Sequence, residues 1–517
     1  MLNRARRRPP AGKDGAPSSP RENGLMRISR RAITLGFWCV LLMSVLSYGA
    51  NAALSLSLTA TMACTVLLLA FLTQGEPSTA RKPFWFALGL LAALTLWSWM
   101  QTWSWPPSLV EEKLWQPVQG LAPEAQRSGS VSAGDILLGL LKAALPIFVF
   151  MTSLILFDRE DKAVRAFKAV AVIGGAVAVI GVLQFVATPD FVLLQPKLFY
   201  RDSLTGPFVN RNTAGTFFGV VSIMLLALAV HAATKIDRYR LLSLLNVGGR
   251  LEQPREVAAA VTFGGLFLVT LAAEFLTNSR AAIVITFIAL VGLILFLTFG
   301  PRYRPPARRR RTGWRKAGRR IAIAIALVWI PLLVFSVLSS RVQQRFEETG
   351  VVDPRFCALH AIWSATTDHW PKGAGLTSFQ DIYPPYREPA CGVVGIWDKA
   401  HNVYLEGLLA LGIFFPVALV ATAGVLGRIF WKGFAARKNR SYLVAAGFCA
   451  TVLVAAHAAV DFSLQIPGFA TFFAAVLGPV TTICLRKGRL PHGAPDEARM
   501  QGRAPIGALE HGGSGAG

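Results

Sequence analysis

The chain is predicted to be all-α, a polytopic membrane bundle of about twelve transmembrane helices with one long loop between helices nine and ten. Three observations carry this. The 517 residues are 53% hydrophobic and only 16% charged. Apolar runs of about 20 residues, the length an α-helix needs to cross ~30 Å of hydrocarbon, recur from end to end. The Lys and Arg residues fall between those runs in an alternating pattern rather than evenly.

Taken in order, the predicted spans are Ile33 to Tyr48, Leu54 to Leu72, Pro83 to Trp103, Ile136 to Leu156, Ala169 to Val186 and Ala214 to Ala233, followed by Val257 to Leu276, Ala281 to Phe299, Ile321 to Leu338, Val403 to Leu426, Leu443 to Val460 and Pro467 to Leu485. Twelve crossings put both termini on one side. With that side assigned to the cytoplasm, the inside segments hold 40 of the 53 Lys and Arg, the outside segments 12, and Lys142 falls within a span. This is the positive-inside distribution. The net charge of +25 is therefore a membrane-topology signal and not a nucleic-acid signal, and the block Arg302 to Arg320 is expected on anionic headgroups.

Residues 1–31, rich in Arg, Pro and Ser, read as a disordered cytoplasmic tail, 32–486 as the membrane domain, and the Gly-rich 487–517 as a second cytoplasmic tail. The outside loop 341–402 is the long one. Within it Pro354 to Trp363 has the apolar spacing of an amphipathic helix with Asp353 as its cap, and His369 to Gly375 reads as a turn. Cys357 and Cys391 share this loop and could form a disulfide in an oxidising compartment, or remain two thiols. The cysteines and histidines lack metal-ligand spacing, so no metal is expected.

The candidate chemistry sits at the outside helix starts. Arg211, in Gly206-Pro-Phe-Val-Asn210-Arg211-Asn212, and Arg280, in Thr277-Asn278-Ser279-Arg280, each open a span where free backbone N–H groups already favour an anion. A guanidinium adds bidentate donors suited to phosphate oxygens, so two such ends side by side would cradle a pyrophosphate. Single interfacial arginines often snorkel to lipid phosphates instead, but Asn210, Asn212 and Ser279 beside them exceed what anchoring requires. His401, where the long loop re-enters the bilayer, can accept a proton near neutral pH, and Asp398 or Asp461 could orient its ring. Lys142, Glu274 and His457 lie in or near spans and could be paired or act as a relay if close together. No Gly-rich phosphate loop, HExxH, GxSxG or outside DxD is present, so the arginines would have to supply the electrostatics that a metal supplies elsewhere.

Five motifs in order, Gly206 to Gly215, Asn278 to Arg280, Arg355 with Trp370 to Gly375, Ala400 to Gly407 with His401 and Asn402, and His457 to Pro467 with Asp461, resemble the O-antigen ligase and polymerase family of bacterial membrane glycosyltransferases over roughly Ala169 to Leu485. The resemblance implies transfer of a glycan from undecaprenyl pyrophosphate to an acceptor hydroxyl, lipid A-core or another glycan, at the periplasmic face of the inner membrane, without a cofactor. It further implies that Arg211 and Arg280 hold the pyrophosphate, that Arg355 holds the donor or positions the loop, and that His401 deprotonates the acceptor in an inverting displacement. A ligase reading stands slightly ahead of an O-antigen or exopolysaccharide polymerase. A transporter of lipid-linked sugars is the alternative from another class, and it would place its charges at mid-bilayer depth rather than at one interface.

Overall fold

The computed structural model describes residues 20–103, 135–236, 254–299, 354–388, 391, 395–436 and 440–486. Their helices are α1 Pro20–Leu46, α2 Ala53–Gln74, α3 Arg81–Met100, α4 Ile136–Leu156, α5 Glu160–Ala187, α6 Arg211–Ala233, α7 Pro254–Leu276, α8 Arg280–Phe299, α9 Pro354–Asp368, α10 Val403–Leu411, α11 Phe414–Ala436, α12 Ser441–His457 and α13 Pro467–Leu485. A two-residue hairpin, Phe191–Val192 with Gln195–Pro196, is the only sheet among them. Ten of these helices are long and apolar enough to cross a membrane, and α12 is a shorter apolar one. The protein is a multi-pass membrane helical bundle. The expected ninth span, residues 321–338, lies outside the described residues, as do the Arg-rich block, Asp353 and the chain ends beyond residues 20 and 486.

The bundle is built around α6. Every residue from Asn212 to Leu228 is buried, so this helix is apolar on all sides because protein, not lipid, surrounds it. It packs against α5, α7, α8 and α12, and Phe217 meets Phe472 of α13 at 4.5 Å between ring centroids. Small residues permit this density. A Cβ on Gly215 would lie 2.6 Å from the Cβ of Ala282 and 3.2 Å from that of Ser279, and one on Gly219 would collide with Thr286 Oγ1. Glycines four apart thus let α6 and α8 approach closely, the way small residues join helices in lipid, where no hydrophobic force acts between them. Because Gly215 lies one turn into α6 and Ser279 and Ala282 flank the start of α8, the two helices begin at the same level.

One predicted span is corrected. Val403 to Leu426 was expected as a single helix, but the chain breaks at Gly412, leaving the nine-residue α10 and the 23-residue α11. Gly412 adopts a φ of +53°, which few side chains tolerate, and its N–H closes α10 on Leu408 O. The break is filled by the turn at 370–375. Ala374 and Gly375 donate to Leu409 and Ala410 carbonyls at 2.8 and 2.9 Å, Ile413 donates to Pro371 O at 2.8 Å, and the Gln101 side chain bridges Lys372 O and Ala410 O. The crossing is therefore α11, while α10 belongs with the loop that precedes it.

That loop has a small apolar core of its own, with Ala358, Ala361, Ile362 and Ala365 of α9 against Phe379, Ile382, Tyr383, Ala400 and Leu409. Cys357 and Cys391, 34 residues apart, are joined by a disulfide.

Substituting Gly219→Val should force α6 and α8 apart. Overpacking of this kind costs about 1–3 kcal/mol, to be read as a lowered melting temperature of the purified protein in detergent, whereas Gly264→Val, at a position with open space around its Cβ, should leave melting nearly unchanged.

Candidate functional site

Three helix starts and one connecting segment meet at one face. Asn210 caps α6, its side-chain oxygen accepting from the N–H groups of Asn212 at 2.6 Å and Thr213 at 3.2 Å. Asn402 caps α10 in the same way through Tyr404 and Leu405. The backbone is left-handed just before two of these starts: Asn278, ahead of Ser279 and α8, has a φ of +54°, and His401, ahead of Asn402, has a φ of +53°. Such backbone costs of order 1–3 kcal/mol unless the surroundings impose it. Here they do. The Asn278 side chain donates to Asp202 O and Ser203 Oγ, Val403 N–H donates to Ala458 O at 2.8 Å, and Ala400 N–H donates to the Glu406 carboxylate at 2.7 Å.

The centre of the cluster is Asp461, 1% exposed, in the connection between α12 and α13. Asn212 Nδ2 donates to Asp461 Oδ1 at 2.9 Å, and Ser463 Oγ donates to Oδ2 at 2.7 Å. His401 Nδ1 stands 3.5 Å from Oδ1. Asn212 in turn accepts from Ser279 Oγ at 2.9 Å, which fixes its amide orientation and ties α6 to α8. Burial works to raise the Asp461 pKa, but hydrogen bonds from His401 and Ser463 and the charge of nearby His457 outweigh it and hold the carboxyl below its usual value.

A second layer follows from proton counting. Thr216 spends its hydroxyl proton on Asn212 O at 2.9 Å, and Ser463 spends its own on Asp461. His457 Nδ1, 2.9 Å from Thr216 Oγ1 and 3.4 Å from Ser463 Oγ, must therefore be the protonated nitrogen and the donor to both.

His401 is wedged between aromatic rings, Trp397 at 5.5 Å and Phe462 at 4.9 Å, both edge to face. With Nδ1 turned to Asp461, Nε2 carries the free lone pair that a base needs. The Arg211 guanidinium lies 5.1 Å from the Tyr200 ring centroid, a cation–π contact that aims it across the start of α6. Arg280 is the first residue of α8, alongside. Arg355 lies in α9, but its side chain is outside the described residues.

The structure thus brings together Asn212, Ser279, His401 and Asp461 by direct contacts, with Asn210 and Asn402 capping the helices that carry them. It does not unite Lys142, Glu274 and His457. Lys142 faces Lys399 and Glu406, Glu274 is buried beside Thr286, and only His457 reaches the Asp461 cluster. Asp398 is exposed, so Asp461 is the carboxylate that meets the histidine. Thr216, Ser463 and Tyr200 were not anticipated. Thr216 follows Asn212 by one helical turn, a spacing that pairs side chains on one face and could have revealed it. Among the described residues, the one group with metal-ligand types close together is Cys357, Glu388 and Cys391, and its sulfurs are bonded to each other.

Residues 265–420 match a family model described as O-antigen ligase. This stretch is similar to the O-antigen ligase family. The ligase region so defined holds Ser279, Arg280, Arg355, His401 and Asn402, while Asn210, Arg211, Asn212 and Asp461 lie outside it and are joined to it by the contacts above. The match supports, at a coarse level, a membrane enzyme of the ligase or polymerase type. A search of curated proteins found no match.

Asp461→Asn keeps the side-chain shape but removes the charge. Because the folded pKa is depressed, the stability that Asp461 contributes is fully present above the ordinary aspartate value of about 4 and is lost as the pH falls through the lower folded value. The melting-temperature advantage of the wild type over Asp461→Asn should therefore be constant from neutral pH to about pH 5 and shrink below about pH 4.

Proposed function

We propose that the chain transfers a glycan from undecaprenyl pyrophosphate to an acceptor hydroxyl of lipid A-core at the periplasmic face of the inner membrane. The observation that carries this reading is the bonded set Ser279–Asn212–Asp461 with His401 Nδ1 3.5 Å from the carboxylate, which seats the histidine on the same face as two helix starts bearing Arg211 and Arg280.

In this reading the donor's pyrophosphate lies over the starts of α6 and α8. Both present the positive end of the helix dipole, and Arg211 and Arg280 add planar donors. Arg355 holds the donor or positions the loop. His401 Nε2 takes the proton of the acceptor hydroxyl as its oxygen bonds the anomeric carbon. The bond from that carbon to the phosphate oxygen breaks, its electron pair leaves with undecaprenyl pyrophosphate, and the anomeric configuration inverts. Asp461 holds the imidazole in the tautomer that exposes Nε2 and faces the imidazolium once it has formed. The arginines and helix ends supply the positive charge that the leaving group requires.

His401→Ala removes the base, and general-base catalysis is worth about 10²–10⁴-fold in rate. The variant should lose that much glycan transfer in a reconstituted assay with labelled lipid-linked donor, measured as release of undecaprenyl pyrophosphate, while remaining in the membrane at normal level. Full release by His401→Ala would sink the assignment. In a deletion strain, loss of all O-antigen attachment on a lipopolysaccharide gel identifies a ligase, whereas a cap of a single repeat identifies a polymerase.

A further inference from the structure

A cleft of about 290 Å³ opens in the long loop, lined by Gln380, Pro384, Arg387, Gly395, Ile396 and Trp397. It takes no part in the cluster around Asp461, yet it adjoins it. Trp397 lines the cleft and also lies edge-on to His401, with ring centroids 5.5 Å apart. Behind it the rings of Trp397, Tyr383 and Phe379 stack in series at 5.9 and 5.1 Å, and the Arg387 guanidinium sits 5.8 Å from the Tyr383 ring centroid. An aromatic ladder thus runs from the loop core past the cleft to the base.

The chemistry of the lining narrows the occupant. Aromatic and aliphatic surface is supplied by Trp397, Ile396 (80% exposed) and Pro384, and polar reach by the Gln380 amide and the Arg387 guanidinium. Arg387 Nε in this wall, and Tyr383 Oη behind it, are buried with no hydrogen-bond partner among the described residues. Buried polar atoms ordinarily find partners, and one side of this wall is still without them. A ligand that suits it offers an apolar ring face and a rim of hydroxyls that both donate and accept. That is a saccharide. The volume lies near the lower edge of the ~300–1,000 Å³ of small-molecule sites, the size of a short saccharide rather than a long chain.

We propose that this cleft is a carbohydrate subsite for the acceptor. A terminal sugar sits against Trp397 and is hydrogen-bonded by Arg387 and Gln380, which brings its free hydroxyl to His401 Nε2. The placement rests on the glycosyltransferase reading. The position relative to the base supports acceptor over donor, because the donor's pyrophosphate belongs with Arg211 and Arg280 on α6 and α8, whereas the cleft is built from the loop that delivers His401.

The test uses the full-length protein in nanodiscs and the delipidated core oligosaccharide released from the host's lipopolysaccharide. Arg387→Gln and Gln380→Ala are the informative variants, since neither residue contacts the His401 ring, and Trp397→Phe serves as a third. Losing a charge-assisted hydrogen bond corresponds to about tenfold or more in affinity. Arg387→Gln should therefore raise the acceptor KM about tenfold, with the KM for lipid-linked donor within about twofold of wild type. Oligosaccharide binding, followed by saturation-transfer NMR, should persist in His401→Ala and fall in Arg387→Gln. An unchanged acceptor KM and undiminished binding in Arg387→Gln and Gln380→Ala would overturn the subsite, as would a rise confined to the donor KM. Saccharide binding that depends on Arg387 in a protein showing no transfer at all would uphold the subsite and count against the transfer reaction alone.

Discussion

A carboxylate with no access to water must be surrounded by donors or be lost as a charge, and Asp461 imposes that condition on everything near it. It sits in a short connection, which alone offers it nothing. Its donors come from α6 through Asn212, from its own segment through Ser463, and from the end of the long loop through His401. Each donor belongs to a different part of the chain. Satisfying one buried charge therefore fixes the relative placement of three elements far apart in sequence, a stronger constraint than apolar packing gives, because apolar contacts tolerate sliding and a hydrogen-bonded carboxylate does not.

The same logic explains why the helix starts are strained. Left-handed backbone at Asn278 and His401 re-aims the chain immediately before a cap, so the helix that follows begins with its N–H groups toward the shared face. Close approach of α6 and α8 at Gly215 and Gly219 then sets two positive helix ends side by side. Without a buried anion nearby this arrangement would repel. Asp461 offsets part of that cost, and in the proposed reading a bound pyrophosphate would offset the rest.

Much of this was legible in the sequence because the two strongest signals are local. Hydrophobic length marks spans such as Ile136 to Leu156 and Pro467 to Leu485, whose ends the structure reproduces to the residue. Polar residues gathered at predicted helix starts mark the site. The break at Gly412 was not legible, because Val403 to Leu426 is apolar apart from Glu406 near its start, and the cause of the break is the 370–375 turn lodged in it, a tertiary contact. The choice between Asp398 and Asp461 likewise depended on three-dimensional proximity. The inner network of Thr216, Ser463 and His457 was hidden for a different reason: serine and threonine are common within membrane helices, and only the accounting of their protons shows that these serve the carboxylate.

The break at Gly412 changes what kind of element carries the base. Had residues 403–426 formed one span, His401 would cap a helix anchored through the whole bilayer, and the loop would be a decoration on it. Instead His401 precedes a nine-residue helix whose far end is pinned by backbone hydrogen bonds to the 370–375 turn and whose Leu409 packs into the core that also holds α9, Phe379 and Tyr383. The histidine is thus rigid with the loop, and the disulfide between Cys357 and Cys391 tightens that unit further. Arg211 and Arg280, by contrast, are rigid with the bundle. The two halves of the proposed chemistry, base and anion holder, stand on separately packed bodies that meet at several bonds, Val403 N–H to Ala458 O and the Gln101 side chain to Lys372 O among them, and at Asp461, whose hydrogen bond from Asn212 is short and whose approach to His401 is longer.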